Sequence, residues 1–288
     1  MRVTPLLIAL TGVVTGVTLA ATPAASAANG VFGGSTRAGE AIVWNTDRAG
    51  KRVRSAVLAW EAACDDGSRY VVFIRVTATK ASPGFDPEPR NLVMTRNRRG
   101  RFAGSIVGAQ SLGAQTAVVS AKVTGRLRRA SASGTLTAYT TIVDGTTGSQ
   151  SMSCETGRVR WTASRAPGRI YGGSTSQGEP FVVRLDARRR VVRDLLFGWH
   201  SQSCTPEGFV RFPERFGNFA VNRRGRWGDS WQQVVDGGAV TFSYKLAGAL
   251  RRTSARGTLA AAVNRVDDSG ATDLSCESGT ISWKAKTG

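Results

Sequence analysis

The stretch Val240-Thr241-Phe242-Ser243-Tyr244-Lys245-Leu246 leads to Gly248 and alternates without a fault. Phe242, Tyr244 and Leu246 fall on one face, and Thr241, Ser243 and Lys245 on the other. A period of two is the signature of a half-buried antiparallel strand. The first half of the chain carries a counterpart, Ala117-Val118-Val119-Ser120-Ala121-Lys122-Val123, leading to Gly125. There Val119, Ala121 and Val123 share a face, opposite Ser120 and Lys122. Arg69 to Thr77 is rich in β-branched and aromatic residues, as a buried strand is.

Around these strands the chain states one pattern twice. Gly33-Gly34-Ser35-Thr36, Gly39-Glu40, Trp60 and Cys64 return as Gly172-Gly173-Ser174-Thr175, Gly178-Glu179, Trp199 and Cys204. Asn97-Arg98-Arg99-Gly100-Arg101 returns as Asn222-Arg223-Arg224-Gly225-Arg226. Ser153-Cys154-Glu155, Gly157 and Trp161 return as Ser275-Cys276-Glu277, Gly279 and Trp283. The Asn-Arg-Arg-Gly elements read as tight hairpins, with asparagine capping the turn and glycine supplying a positive φ. Leu127-Arg128-Arg129 to Gly134 and Leu250-Arg251-Arg252 to Gly257 read as second hairpins with arginines at the solvated end.

The chain is therefore expected to be all-β, with two tandem antiparallel β-sandwich or β-barrel domains of about seven to nine strands each. Domain 1 is expected over 31–165 and domain 2 over 170–286. Ala166-Pro167-Gly168-Arg169 forms a short linker that holds them close. Cys64 to Asn97 is 33 positions and Cys204 to Asn222 is 18, so the first half carries additional residues; Ala81 to Pro89 reads as a loop within them. Residues 1–27 read as an export leader. Arg2 precedes an apolar run from about Pro5 to Ala21, and Ala25-Ser26-Ala27 supplies a small-x-small cleavage site. No later segment is apolar for long enough to act as a transmembrane anchor. A secreted protein, extracellular or held at the cell wall, is expected.

Four cysteines allow three pairings. Folding of each repeat by itself selects Cys64 with Cys154 and Cys204 with Cys276. Trp60, Trp199, Trp161 and Trp283 are matched between repeats and are expected in the cores, against the disulfides. Trp44 and Trp231 have no aromatic counterpart. A one-off core substitution is the simpler account of each, and exposed contact with a ligand the alternative.

Little in the chain points to catalysis. His200 is the single histidine, and Glu61 holds its place in the first repeat. No Gly-x-Ser-x-Gly elbow, phosphate-binding glycine loop or dinucleotide fingerprint is present. Metal binding lacks ligands, and no cofactor is expected. Glu40, Asp47 and Glu155 match Glu179, Asp186 and Glu277, and two such carboxylates in one cleft would serve glycoside hydrolysis.

The charge speaks more clearly. There are 39 Lys and Arg against 20 Asp and Glu, a formal net charge of +19, which favours polyanions. Arg98, Arg99, Arg101, Arg128 and Arg129, with their counterparts Arg223, Arg224, Arg226, Arg251 and Arg252, are the candidate polyanion-binding residues. If both turns of a repeat lie at one end, each domain presents a basic rim.

Taken together, Gly-Gly-x-Thr, Gly-Glu, a mid-domain cysteine, the Arg-Gly-Arg turn before an aromatic, Gly-Thr-Leu and the final Cys resemble secreted β-rich tandem-domain proteins of high-GC Gram-positive bacteria. The resemblance implies an extracellular or envelope location and no activity. The expected function is non-catalytic binding of an anionic or carbohydrate polymer. A polysaccharide hydrolase using Glu/Asp pairs, and an inhibitor or interaction protein for another secreted protein, are the alternatives.

Overall fold

A computed structural model describes residues 30–47, 49–77, 94–95, 97–112, 115–144, 147–267 and 269–287. The expected leader and the expected loop from Ala81 to Pro89 lie outside the described residues. The first half contains β1 (Val31–Thr36), β2 (Ala41–Thr46), β3 (Arg52–Cys64), β4 (Arg69–Thr77), β5 (Met94–Thr95), β6 (Arg101–Leu112), β7 (Gln115–Leu127), β8 (Ser131–Asp144), β9 (Gln150–Glu155) and β10 (Val159–Ser164). The second contains β11 (Ile170–Thr175), β12 (Pro180–Leu185), β13 (Val191–His200), β14 (Ser203–Thr205), β15 (Arg211–Phe216), β16 (Phe219–Ala220), β17 (Arg226–Val235), β18 (Val240–Leu250), β19 (Ser254–Val266) and β20 (Thr272–Lys286). The ten strands per half among the described residues exceed the expected seven to nine, because two-residue strands such as β5 and β16 carry no periodic signal.

Barrel, rather than sandwich, describes the architecture. In the first half the order β10-β1-β2-β3-β9-β8 closes on itself where β10 pairs with β8, forming a six-stranded barrel. β7 and β6 extend the sheet beyond β8, and β4 and β5 pair with β3. The second half runs β15-β13-β12-β11-β20-β19-β18-β17 and curls into a half-barrel. Side chains bridge its open edges: Phe216 meets Trp231 at 4.6 Å, Phe212 meets Phe242 at 4.9 Å, and Tyr244 donates to Glu214. The disulfides are Cys64–Cys154 and Cys204–Cys276, each across a directly opposed strand pair.

Inward faces follow the sequence alternation. Val119, Ala121 and Val123 are buried, as are Tyr244 and Leu246. Trp60, Trp161, Trp199 and Trp283 are core residues. So is Trp44, which rules out its reading as an exposed ligand platform. It fills the barrel against Phe102 at 5.5 Å and Trp161 at 5.1 Å. The bulk is moved between matched core positions: Ile42, Trp44 and Phe102 in one half stand where Phe181, Val183 and Trp227 stand in the other, all buried. Close packing tolerates such exchange when total volume is kept. Trp231 is half-buried among Phe216, Phe219 and Tyr244, so its ring is engaged in the protein's own aromatic cluster.

The Asn-Arg-Arg-Gly turns form as read: Asn97 Oδ1 accepts from the Arg99 and Arg101 amides, Asn222 Oδ1 from those of Arg224 and Arg226, and Gly100 and Gly225 have φ of 78° and 73°. Each is closed as a tight hairpin turn, Asn97 N–H to Arg101 O and Asn222 N–H to Arg226 O, both at 2.9 Å, but the strands on either side do not go on pairing with each other. β5 pairs with β3 while β6 pairs with β7, and β16 pairs with β13 while β17 pairs with β18. The chain changes neighbours at each turn, which local turn chemistry does not reveal. The β7–β8 and β18–β19 connections are true hairpins, closed by Arg128 N–H to Ser131 O and Arg251 N–H to Ser254 O.

The halves meet through β1, β2 and β3 on one side and β11, β12 and β13 on the other. Val31, Ala41, Val43 and Val57 form one buried cluster with Val182 and Leu196. Matched positions oppose one another: Gly33 lies against Ile170 and Val182, and Gly172 against Val31 and Val43. The linker turn is tied down, with Gly168 N–H donating to Thr287 Oγ1 at 2.9 Å.

Candidate anion interface

The corner and hairpin of each half lie side by side at one end of its sheet. Leu127 N–H donates to Gly100 O at 2.8 Å, and Leu250 N–H donates to Gly225 O at 2.8 Å. Arg98, Arg99, Arg101, Arg128 and Arg129 thus share one end, and Arg223, Arg224, Arg226, Arg251 and Arg252 share the corresponding end of the second half. All ten are exposed. Among the described residues none of the ten forms a salt bridge.

Structure adds cations to this rim. Arg126 Nε donates to Arg99 O at 3.2 Å. In the second half the Asp186–Val191 turn brings up Arg188, Arg189 and Arg190: Val221 N–H donates to Arg190 O, and Arg189 Nη2 donates to Tyr171 Oη at 2.9 Å and Arg251 O at 3.1 Å. Tyr171 Oη also donates to Arg251 O at 2.8 Å, and burial raises its pKa. The Arg188-Arg189-Arg190 run was itself a visible signal of this contribution.

The outer faces of the sheets carry further cations that only register reveals. Arg226, Ala249, Arg256 and Lys284 stand in one row across β17, β18, β19 and β20. In the first half the same row is Arg101, Arg126, Ser133 and Thr162. Directly opposed like charges, Arg256 with Lys284 and Arg101 with Arg126, cost stability in a sheet unless an anion lies between them.

The matched carboxylates take different places. Glu40 and Asp47 flank opposite ends of β2, and Asp47 and Asp186 serve as turn caps, accepting from the amides of Lys51 and of Arg190 and Val191. Glu155 and Glu277 are exposed. Glu179 is 3% exposed and holds two partners, His200 Nδ1 at 2.8 Å and Arg211 Nη2 at 3.5 Å. Arg211 also lies over Phe73 of the first half at 5.2 Å, so this cluster sits where the halves meet. Glu40, the matched residue, is buried with Oε2 unpartnered; desolvation, helped by the Glu61 charge, raises its pKa. Burial likewise raises Glu214, against hydrogen bonds from Tyr244 and Trp199. Among the described residues no group of three or more His, Cys, Asp or Glu is placed to hold a metal ion, and no helix is long and apolar enough to cross a membrane.

No family model, no curated protein and no solved structure matches this chain significantly.

Proposed function

We propose that this protein is exported and binds an anionic polymer of the cell envelope or its surroundings, glycan or otherwise, without transforming it. The observation that carries the reading is the gathering of five exposed arginines at one end of each half, none of which forms a salt bridge among the described residues. Unneutralised guanidinium groups fixed on rigid turns bind phosphate, sulfate and carboxylate, and two such ends on one chain act together on a long polymer. The two disulfides and the leader-like N-terminus support export, since disulfides persist in oxidising compartments.

Retention of the disulfide-bonded protein on immobilised wall polymer and on a heparin-like matrix, across a salt series, tests the proposal. Retention at low salt that falls steeply as salt rises is expected. Elution in the void volume at low salt from both matrices refutes it.

A further inference from the structure

The outer face of β17–β20 is shaped as well as charged. A shallow, open depression of about 390 Å³ lies there, its floor largely apolar and its polar rim formed by Arg226, Arg256, Thr258, Ser282 and Lys284, with no carboxylate in its lining. The three cations stand in one cross-strand row. Neighbouring strands are about 4.8 Å apart, so Arg256 and Lys284 can both reach one tetrahedral oxyanion, with Arg226 two strands from Arg256. In the next row Thr258 stands directly opposite Ser282, both exposed, offering two hydroxyl donors beside the cations. Ala247 and Ala249 keep the floor low, and the indole rings of Trp227 and Trp283 pack beneath Gly248 and Gly257 on the inner side. None of Arg226, Arg256 and Lys284 forms a salt bridge among the described residues.

We propose that this trough is a discrete oxyanion subsite, taking one phosphodiester or sulfate-ester group of a polymer chain, and that it belongs to the second half alone. The inference rests on the polyanion reading and refines it. The first half has the same sheet but carries Ser133 and Thr162 where the second carries Arg256 and Lys284, so a three-cation row does not form there. A polymer held by the basic ends is gripped everywhere by charge; the trough adds a place where one ester group meets Arg256 and Lys284, with Thr258 and Ser282 beside them and Arg226 two strands away.

The test uses the full disulfide-bonded protein and two double variants of equal charge. Arg256→Ser with Lys284→Thr installs the residues the first half tolerates at the same register. Arg54→Ser with Arg158→Ser removes two exposed cations elsewhere. Calorimetric titrations with a short poly(glycerol phosphate) and with a short sulfated polysaccharide are compared. The trough variant is expected to bind the preferred polymer about tenfold more weakly than the control variant, the scale of losing charge-assisted hydrogen bonds. The polymer showing that difference identifies the ester as phosphate or sulfate. Equal weakening by both variants overturns the subsite and leaves general polyanion binding intact. Failure of the unaltered protein to bind either polymer, or to be retained by any anionic matrix, overturns the polyanion reading itself. Circular dichroism spectra matching the parent confirm that each variant is folded.

Discussion

Gly33 lies so close to Val182 that a Cβ built on the glycine would stand 3.0 Å from Val182 Cγ1. The relationship is reciprocal, since a Cβ on Gly172 would stand 2.9 Å from Val43 Cγ1. Each half presents a glycine and a valine from matched positions, and each glycine receives the other half's valine. The contact thus behaves like the isologous interface of a two-fold dimer, within one chain.

Enlarging these glycines is expected to pry the halves apart. Gly33→Leu or Gly172→Leu should destabilise by about 1–3 kcal/mol, the scale of overpacking a filled interface. Denaturant unfolding checks this, and an unchanged midpoint for both variants would show that the halves do not depend on the contact.

Glu179 is the second point of leverage at the junction. Glu179→Ala leaves Arg211, whose side chain is 7% exposed, without this carboxylate. Breaking a buried pair from one side costs about 3 kcal/mol or more. The same substitution at Glu40, whose buried Oε2 has no hydrogen-bond partner among the described residues, should cost far less. A loss at Glu40 equal to that at Glu179 would contradict the assignment.

Stability should also depend on pH through Glu40. Burial holds its folded pKa above the ordinary 4.5. Between those two values the native state keeps a proton that the unfolded chain has released. Stability therefore falls as pH rises from about 4.5 through the folded pKa, and the contribution is fully present only below about 4.5. Glu40→Gln should flatten this decline, with a residual slope from Glu214, which burial raises in the same direction. Parallel stability curves for the parent and Glu40→Gln above pH 4.5 would count against it.

The disulfides staple thin joints. β3 and β9 share only two register pairs, Ala63 with Glu155 and Cys64 with Cys154, and β14 and β20 share three. The bonds span 90 and 72 residues, worth about 4–5 kcal/mol each in the chain-entropy model. Reduction, or Cys154→Ser, should lower the unfolding temperature by well over 5 °C and expose amides of β3 and β9 to hydrogen exchange. Equal protection with and without reductant would show that strand pairing alone closes the barrel.

What could be read in the chain was what depends on near neighbours. The alternation from Val240 to Leu246 orients side chains whatever the strand pairs with, and Asn97 and Gly100 make their turn from local backbone bonds. The doubled pattern selected Cys64–Cys154 and Cys204–Cys276, because matched residues occupy matched places. Trp44 shows the limit of that logic. Its lack of an aromatic counterpart left a core substitution and an exposed ring both open, and the core decides for the first, with Trp44 beside Ile42 in one half where Val183 stands beside Phe181 in the other.

The sequence by itself determined the longer alternating strands and their faces, most of the turns, the disulfide pairs and the ten arginines of the turns, since each follows from spacing along the chain. Tertiary structure alone decided barrel over sandwich, the change of neighbours at Asn97 and Asn222, the Glu179–His200–Arg211 cluster, and the row that sets Arg256 opposite Lys284. Those depend on which strands pair and in what register, and pairing is settled by the closing of the whole sheet around its core.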